Sequence, residues 1–403
     1  MKVAVFVENF DATGVVRNAI AIAARLAEIG HGVTILAARD EGVLRCSIPT
    51  GVTAVGLVTE SADLSRKQLM RRSFGRFRKF VRDRSPDVVV STGNHGHMLC
   101  LAATRLTQTR TVVRISNDLD LPLDASDTGR FAVLFRRLKF RAILTLADRA
   151  VLVSDRLLKQ VAAISPRLAR KAVIIPNGVD RAFVQARASE TWMPPDFAKT
   201  DAPLILALGR LVPQKNFETL IDAVAIARRT RDLRLLLIGS GPLGPKLRDQ
   251  VTRLGLDEAV RIIEPVPNPF PAMKMASALV LPSWREGSSN VLLEALACGC
   301  PIVATRAPTG VAEVMLDGAI GPLVPPGDDR ALATAMLERL AQPRGSAGLV
   351  ARARDYDLGR TLQAYVDLLG SELALVGTER AEPAASCGFP ETRTSQLEGS
   401  GVA

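Results

Sequence analysis

With 403 residues, 47% of them hydrophobic, the chain is long enough for two domains that each bury a core. No run of about 20 apolar residues exists, which excludes a transmembrane helix, and five scattered cysteines, an odd number, argue for reduced thiols in a cytoplasmic protein. The formal net charge of +11 calls for an anionic partner or a solvated basic face.

Met1-Lys2 leads directly into an expected strand, Lys2–Glu8, and not into a signal-peptide core. Further strands are expected at Val33–Ala37, Thr53–Leu57, Asp87–Ser91, Thr111–Ile115, Ala150–Ser154 and Val173–Pro176. Several are unbroken apolar runs, the pattern of parallel strands covered on both faces. Their alternation with helical stretches argues for βαβ units. Asn9-Phe10-Asp11-Ala12-Thr13-Gly14 then forms a small-residue turn before a helix, Val15–Ile29. Turns at the carboxyl ends of strands are where open α/β sheets place ligands.

Two basic segments follow. Arg66, Lys67, Arg71, Arg72, Arg76, Arg78, Lys79, Arg82 and Arg84 form one; Arg130, Arg136, Arg137, Lys139 and Arg141 form the other, interleaved with Phe131, Leu134, Phe135, Leu138 and Phe140. Cations mixed with large apolar groups suit an anionic lipid surface; phosphate backbones attract the same charge, but no nucleic-acid motif accompanies it. Between them, His95 and His97 follow a strand end and are candidates for an acceptor contact. With three histidines in all and no carboxylate at ligand spacing, a metal site is not expected. Arg114-Ile115-Ser116-Asn117 ends the next strand, and Asn117 can hydrogen-bond a hydroxyl but cannot act as a base. Asp118-Leu119-Asp120 is an isolated D-x-D and carries no weight. Pro176-Asn177-Gly178-Val179-Asp180 reads as a strand ending in a turn, with Gly178 free to take positive φ.

The pattern weakens from Arg181 to Asp201, where a linker is expected. It restarts with the strand Leu204–Leu208, followed by Gly209-Arg210-Leu211-Val212-Pro213-Gln214-Lys215-Asn216 and a helix over Phe217–Arg229. After the strand Leu235–Gly239, the residues Gly239, Gly241 and Gly244 satisfy G-x-G-x-x-G, with Glu264 further on as the expected acid. The motif sits on its domain's second strand, and Pro242 and Pro245 restrict the helix start, so a dinucleotide site is disfavoured. Strand Ala278–Leu281 runs into Ser283-Trp284-Arg285-Glu286-Gly287-Ser288-Ser289-Asn290-Val291, which opens a helix. Asn290, or one of the serines before it, can cap that helix, and the small residues Gly287, Ser288 and Ser289 let a ligand reach its exposed N–H groups. Such a helix start suits a phosphate. Glu286 and Glu294 cannot be phosphate ligands, because like charges repel; they suit hydroxyls at different ends of the molecule. A nucleotide-sugar fits that description. Cys298-Gly-Cys300 lacks a second pair for zinc and reads as packing. A strand at Ile302–Ala304 follows, a last helix over Leu358–Leu375 carries an apolar stripe, and from Gly377 the composition is that of a disordered tail.

The segment from Glu286 through Leu293-Glu294-Ala295-Leu296-Ala297-Cys298-Gly299-Cys300-Pro301 resembles the E-x7-E segment of retaining glycosyltransferases of family 4, the bacterial group 1 glycosyl transferases. Pro176–Asp180, Gly209–Asn216, Gly310-Val-Ala-Glu313 and Pro322–Asp328 resemble the same family in the same order. The resemblance implies the GT-B fold: α/β, two Rossmann-like domains with parallel sheets facing across a cleft and a C-terminal helix crossing back. It implies an acceptor domain over 1–180, a linker over 181–201, a nucleotide-sugar domain over 202–355, a crossover helix over 356–376 and the tail over 377–403. Arg210 and Lys215 would grip the donor diphosphate and stabilise it as it leaves. Glu286 would orient the donor sugar and Glu294 hold the ribose, with Gly14, Asn117, Gly209, Gly287, Ser288, Ser289, Asn290 and Val291 lining the donor. Val266–Phe270 would lie near the base. Thr13 stands where the family has the first of two glycines, and Ser116-Asn117 where many members have a histidine. The implied reaction transfers a sugar with retention, from a UDP-sugar, to a hydroxyl; the basic-apolar segments of the first half favour a lipid-linked saccharide or envelope precursor at the cytoplasmic membrane face as its acceptor. No metal or other cofactor and no nucleic acid is implied. A nucleotide-sugar epimerase of the same fold and a non-catalytic nucleotide-sugar sensor are the rival readings.

Overall fold

The computed structural model describes residues 1–11, 13–58, 64–116, 130–191, 201–308, 310–345 and 347–377. The apolar runs form strands β1 (Lys2–Val7), β2 (Gly32–Arg39), β3 (Val52–Val58), β4 (Val88–Ser91), β5 (Arg110–Ile115), β6 (Arg149–Leu152) and β7 (Ala172–Ile174) in the first half. The second half adds β8 (Leu204–Leu208), β9 (Arg234–Ile238), β10 (Val260–Ile263), β11 (Ala278–Leu281), β12 (Ile302–Thr305) and β13 (Leu323–Val324). Every residue of β4, β8, β11 and β12 is buried, as two-sided coverage requires.

Two sheets result, of seven strands in the order β3-β2-β1-β4-β5-β6-β7 and of six in the order β10-β9-β8-β11-β12-β13. Pairing is parallel throughout, with β1 between β2 and β4 and β8 between β9 and β11. Each chain half winds outward from its first strand and then crosses to that strand's other side. The order therefore reverses between β1 and β4, and again between β8 and β11. At such a point the loops leaving the two strands diverge and open a crevice at the carboxyl ends. These are the loops after Val7, Ser91, Leu208 and Leu281, and they hold most of the chemistry found in the sequence.

Most expected elements are present with ends shifted by one or two residues; the two-residue β13 and the helix Asp329–Ala341 were not anticipated. Residues 181–201 do not begin as an irregular linker. Asp180 caps a helix, Arg181–Arg187, by accepting from Phe183 N at 2.9 Å. Val184 and Ala188 are buried in the second half's core with Leu279 and Leu292, so the chain is already part of that core there.

The helix Leu358–Gly377 returns to the first half, where Tyr365, Leu368 and Leu369 join Ala19, Ile22 and Val112 in one core. Gly178 does not take positive φ; a Cβ there would meet Leu358 Cα at 2.5 Å, so its missing side chain is what lets this helix dock. Further along, Glu372 is 1% exposed and lies between Arg149 and Arg110, the latter at 3.7 Å. Removing one partner of a buried pair strands the others, at a cost of about 3 kcal/mol. Glu372→Ala is expected to lose about that much stability in urea denaturation; an unchanged midpoint would show that the apolar stripe alone holds the helix.

Candidate functional site

The loop after β8 turns at Gly209 and runs through a single helical turn, Pro213–Lys215. Gln214 ties it to the loop after β11, donating from Nε2 to Arg285 O at 3.0 Å and accepting from Trp284 N at 3.0 Å. This registration brings the Lys215 ammonium onto Glu286 Oε1, which also accepts from Ser283 Oγ at 2.7 Å. Glu286 is 6% exposed. A carboxylate so buried is tenable because a cation and a hydroxyl both address it. Arg210 is exposed; its carbonyl accepts from Val212 N at 2.9 Å, and its guanidinium has no hydrogen-bond partner among the described residues.

The G-x-G-x-x-G stretch packs against this loop. A Cβ at Gly239 would collide with Gly209 O, and one at Gly241, whose φ is 152°, would meet Leu211 O at 2.6 Å. Leu211 N donates to Ser240 O at 2.8 Å and Leu243 N to Leu211 O at 3.0 Å. These glycines admit the backbone of the Gly209–Leu211 segment.

The helix Asn290–Ala297 starts at the floor of the crevice, and its capping differs from expectation. Ser289 is the N-cap, yet it makes no side-chain capping bond, and its Oγ is buried without a partner. The Asn290 side chain points elsewhere, accepting from Asn177 Nδ2 at 2.6 Å. Among the described residues the first-turn N–H groups thus have no side-chain acceptor, and Leu292 N bonds only the Ser289 carbonyl, at 3.1 Å. A helix start whose amides lack a side-chain acceptor, beside a buried unpaired hydroxyl, suits an anion. Val291, in that first turn, packs its side chain on the second half's core.

The first half closes against this helix. Thr13 caps the helix Gly14–Glu28, accepting from Val16 N at 3.4 Å, so the residue standing in for a glycine has a structural task. A Cβ at Gly14 would meet Asn290 Nδ2 at 2.6 Å, and one at Gly287 would collide with Ser116 O. Asn177, 5% exposed, is the centre of the contact. Its Nδ2 donates to Ser288 O at 2.9 Å as well as to Asn290, while its Oδ1 accepts from Asn18 at 3.0 Å and from Arg114. Arg17 Nη1 donates to Glu294 Oε1 at 3.1 Å across the same gap. Burial pushes the Glu294 carboxyl up, and the Arg17 charge pulls it back. Sequence reasoning missed Asn177 and Arg17: Asn177 is hidden inside a turn motif, and Arg17 reads as an ordinary cation on the outer face of a helix.

The two histidines separate. His97 is fully buried, with Nδ1 2.8 Å from Ser91 Oγ and Nε2 3.3 Å from Asn94 Oδ1. Both ring nitrogens are occupied, so it braces the loop after β4 and does not reach an acceptor. His95 is exposed beside Arg66, which is 2.8 Å from Glu8. Partial desolvation and the charges of Arg66, Lys139 and Arg210 hold its pKa down against the pull of Glu8. Asn117 and the Asp118–Asp120 pair lie outside the described residues. No group of three His, Cys, Asp or Glu side chains able to hold a metal occurs among the described residues. The cysteine pair behaves as packing: Cys300 is buried, and burial pushes the thiols of Cys298 and Cys300 up to about 12.

Comparison with known proteins follows the same division. The family model described as Glycosyltransferase Family 4 matches residues 12–183, and that described as Glycosyl transferases group 1 matches residues 202–342. A GDP-mannose-dependent alpha-(1-6)-phosphatidylinositol monomannoside mannosyltransferase of Mycolicibacterium smegmatis is 34% identical over 195 residues, 46% of this chain and 51% of that protein. An N-acetylgalactosamine-N,N'-diacetylbacillosaminyl-diphospho-undecaprenol 4-alpha-N-acetylgalactosaminyltransferase of Campylobacter jejuni is 36% identical over 162 residues, 40% of this chain and 41% of that protein. The chain thus spans about half the length of these curated relatives. Among solved structures, HepE of Anabaena with UDP and glucose superposes with a TM-score of 0.72 at 20% identity, over 92% of this chain and all of that one. That likeness shows the shared fold of two Rossmann-like domains, GT-B.

His97 carries a prediction of its own. Burial lowers its pKa from 6.5 to about 3, so below pH 6.5 the unfolded chain binds a proton that the folded chain refuses. Stability from this group is complete above pH 6.5 and falls as the pH drops toward 3. Between pH 7 and pH 5 the protein should lose about 2 kcal/mol more than a His97→Gln variant. Parallel denaturation profiles for the two proteins would contradict the assignment.

Proposed function

Because this chain belongs to glycosyltransferase family 4, with the group 1 glycosyl transferase domain as its second half, we propose that it is a retaining glycosyltransferase. It moves a sugar from a nucleoside diphosphate, UDP being the first choice, to a hydroxyl of a lipid-linked saccharide or envelope polysaccharide precursor. The observation that carries the reading is the Lys215–Glu286 pair standing beside an uncapped helix start.

The donor diphosphate lies on the first-turn amides of the Asn290–Ala297 helix, with Ser289 Oγ as a further donor. Lys215 and Arg210 flank it, and Gly209, Gly287 and Ser288 leave room for its approach. As the sugar–phosphate bond breaks, negative charge builds on the leaving diphosphate, and the paired cations stabilise that charge where it develops. They take the part that a bound metal plays elsewhere, so neither metal nor other cofactor is required. Glu286, held by Lys215 and Ser283, presents its carboxylate to the donor sugar's hydroxyls. Glu294, one turn into the helix, takes the ribose. The acceptor hydroxyl comes from the side of the first domain, past Gly14 and His95.

The acceptors in those relatives' names, a phosphatidylinositol mannoside and a diphospho-undecaprenol saccharide, support a lipid-linked acceptor here. So does the surface of the first domain. The helix Arg66–Arg84 buries Leu69, Phe77 and Val81 and turns Arg71, Arg72, Arg78 and Arg82 outward. The helix Arg130–Leu146 exposes Leu134, Phe135 and Leu138, Phe135 by 70%, next to Lys139 and Arg141. Apolar groups framed by cations suit a peripheral seat on the inner face of an anionic membrane. No helix among the described residues is long and apolar enough to cross one.

Glu286→Ala is expected to lower turnover at least about 100-fold in a folded protein, in an assay over UDP- and GDP-sugars in which EDTA changes nothing. Near-normal turnover of that variant refutes its role. In flotation with anionic vesicles the protein should rise with the lipid, and added salt should release it; no salt-sensitive flotation would remove the membrane from the account.

A further inference from the structure

We propose that Arg17 of the first domain is a positioning residue for ribose recognition by the second: it orients Glu294 across the cleft, so the ribose is gripped only when the domains are closed. The inference rests on the donor reading above and deepens it. Arg17 lies one turn into the helix Gly14–Glu28, off the stripe of Val16, Ala19, Ile22, Ala23 and Leu26 that the helix buries. Its side chain is 45% exposed, that of Glu294 12%. The helix bearing Glu294 is fixed in the second domain by Leu292, Leu293 and Leu296. The 3.1 Å bond between the two therefore exists only while the domains are together.

The bond leaves Glu294 Oε2 without a partner among the described residues, available to accept from hydroxyls while Oε1 is held. Without Arg17 that carboxyl would sit in a buried place with nothing to favour its charge, because burial raises its pKa and Arg17 is the group that lowers it. The Cys298 thiol at the C-cap of the same helix feels the Glu294 charge, and burial pushes it up to about 12 and leaves it neutral; Lys274, from the helix Phe270–Met275, also acts on Cys298. An ionised, aimed carboxylate accepts hydroxyl hydrogens more strongly than a neutral one. Ribose recognition thereby becomes conditional on closure through one guanidinium.

The test is calorimetric titration of UDP and GDP, and of their 2′,3′-dideoxy counterparts, into the full chain, Arg17→Ala and Arg17→Lys at pH 8 and pH 6. The unaltered protein should prefer the ribose form of its nucleotide. Arg17→Ala should weaken that form roughly tenfold, barely change the dideoxy form, and show a deficit that grows as the pH is lowered. Arg17→Lys, which keeps the charge, should recover part of the preference. If Arg17→Ala weakens both forms equally with no pH dependence, Arg17 merely props the domains together and the inference is overturned. If the unaltered protein binds neither nucleotide, or does not prefer the ribose form, the donor reading fails and takes this inference with it.

Discussion

Among the described residues the amides at the start of the Asn290–Ala297 helix have no side-chain acceptor, and much of the molecule is arranged around that deficit. A helix normally satisfies its first N–H groups with a cap residue, which contributes about 1 kcal/mol. Here Ser289 sits at the cap position with its hydroxyl unpaired, and Asn290 gives its side chain to Asn177. The unused donors stand at the carboxyl end of β11, next to a lysine from the loop after β8. Local stability has been given up at the place where a charged ligand would restore it. That trade makes sense for a binding site and for little else.

The topology explains why these groups meet. Both sheets reverse their strand order, and both crevices are lined by loops from the strands flanking the reversal. Closure then depends on small residues at the contact. Gly14 admits Asn290, and Gly287 admits the Ser116 carbonyl. Asn177 joins the halves through four hydrogen-bond partners, two on each side, Asn18 and Arg114 against Ser288 and Asn290. Behind it, the returning helix Leu358–Gly377 seats on the first domain over Gly178, so the segment that carries Asn177 is held from both ends.

Much of this was legible in the sequence wherever chemistry is local. Unbroken apolar runs announced parallel strands, and the Glu286–Glu294 spacing after a strand announced a helix start with two acids. Relations between distant segments were not legible. Arg17 faces Glu294 and Asn177 faces Asn290 only because two domains close, and no periodicity in either segment records the partner. His97 follows a strand end, but position does not say which way a ring points; Ser91 and Asn94 turn it inward. The Gly239–Gly244 stretch, disfavoured as a dinucleotide site on its sequence, matches a phosphate loop in spacing, whereas Gly239 and Gly241 answer the steric demand of the Gly209–Leu211 backbone beside them. The helix at Arg181–Arg187 escaped notice because its signal is a single capping Asp180 ahead of about two turns.

The central claim is that a diphosphate occupies the uncapped helix start between Arg210 and Lys215. Crystals grown with a nucleoside diphosphate test it directly. The account predicts phosphate oxygens within hydrogen-bond distance of the Asn290 or Val291 amide and of the Lys215 ammonium. Density for the diphosphate against the Gly239–Gly244 loop, or anywhere away from that helix, would contradict it.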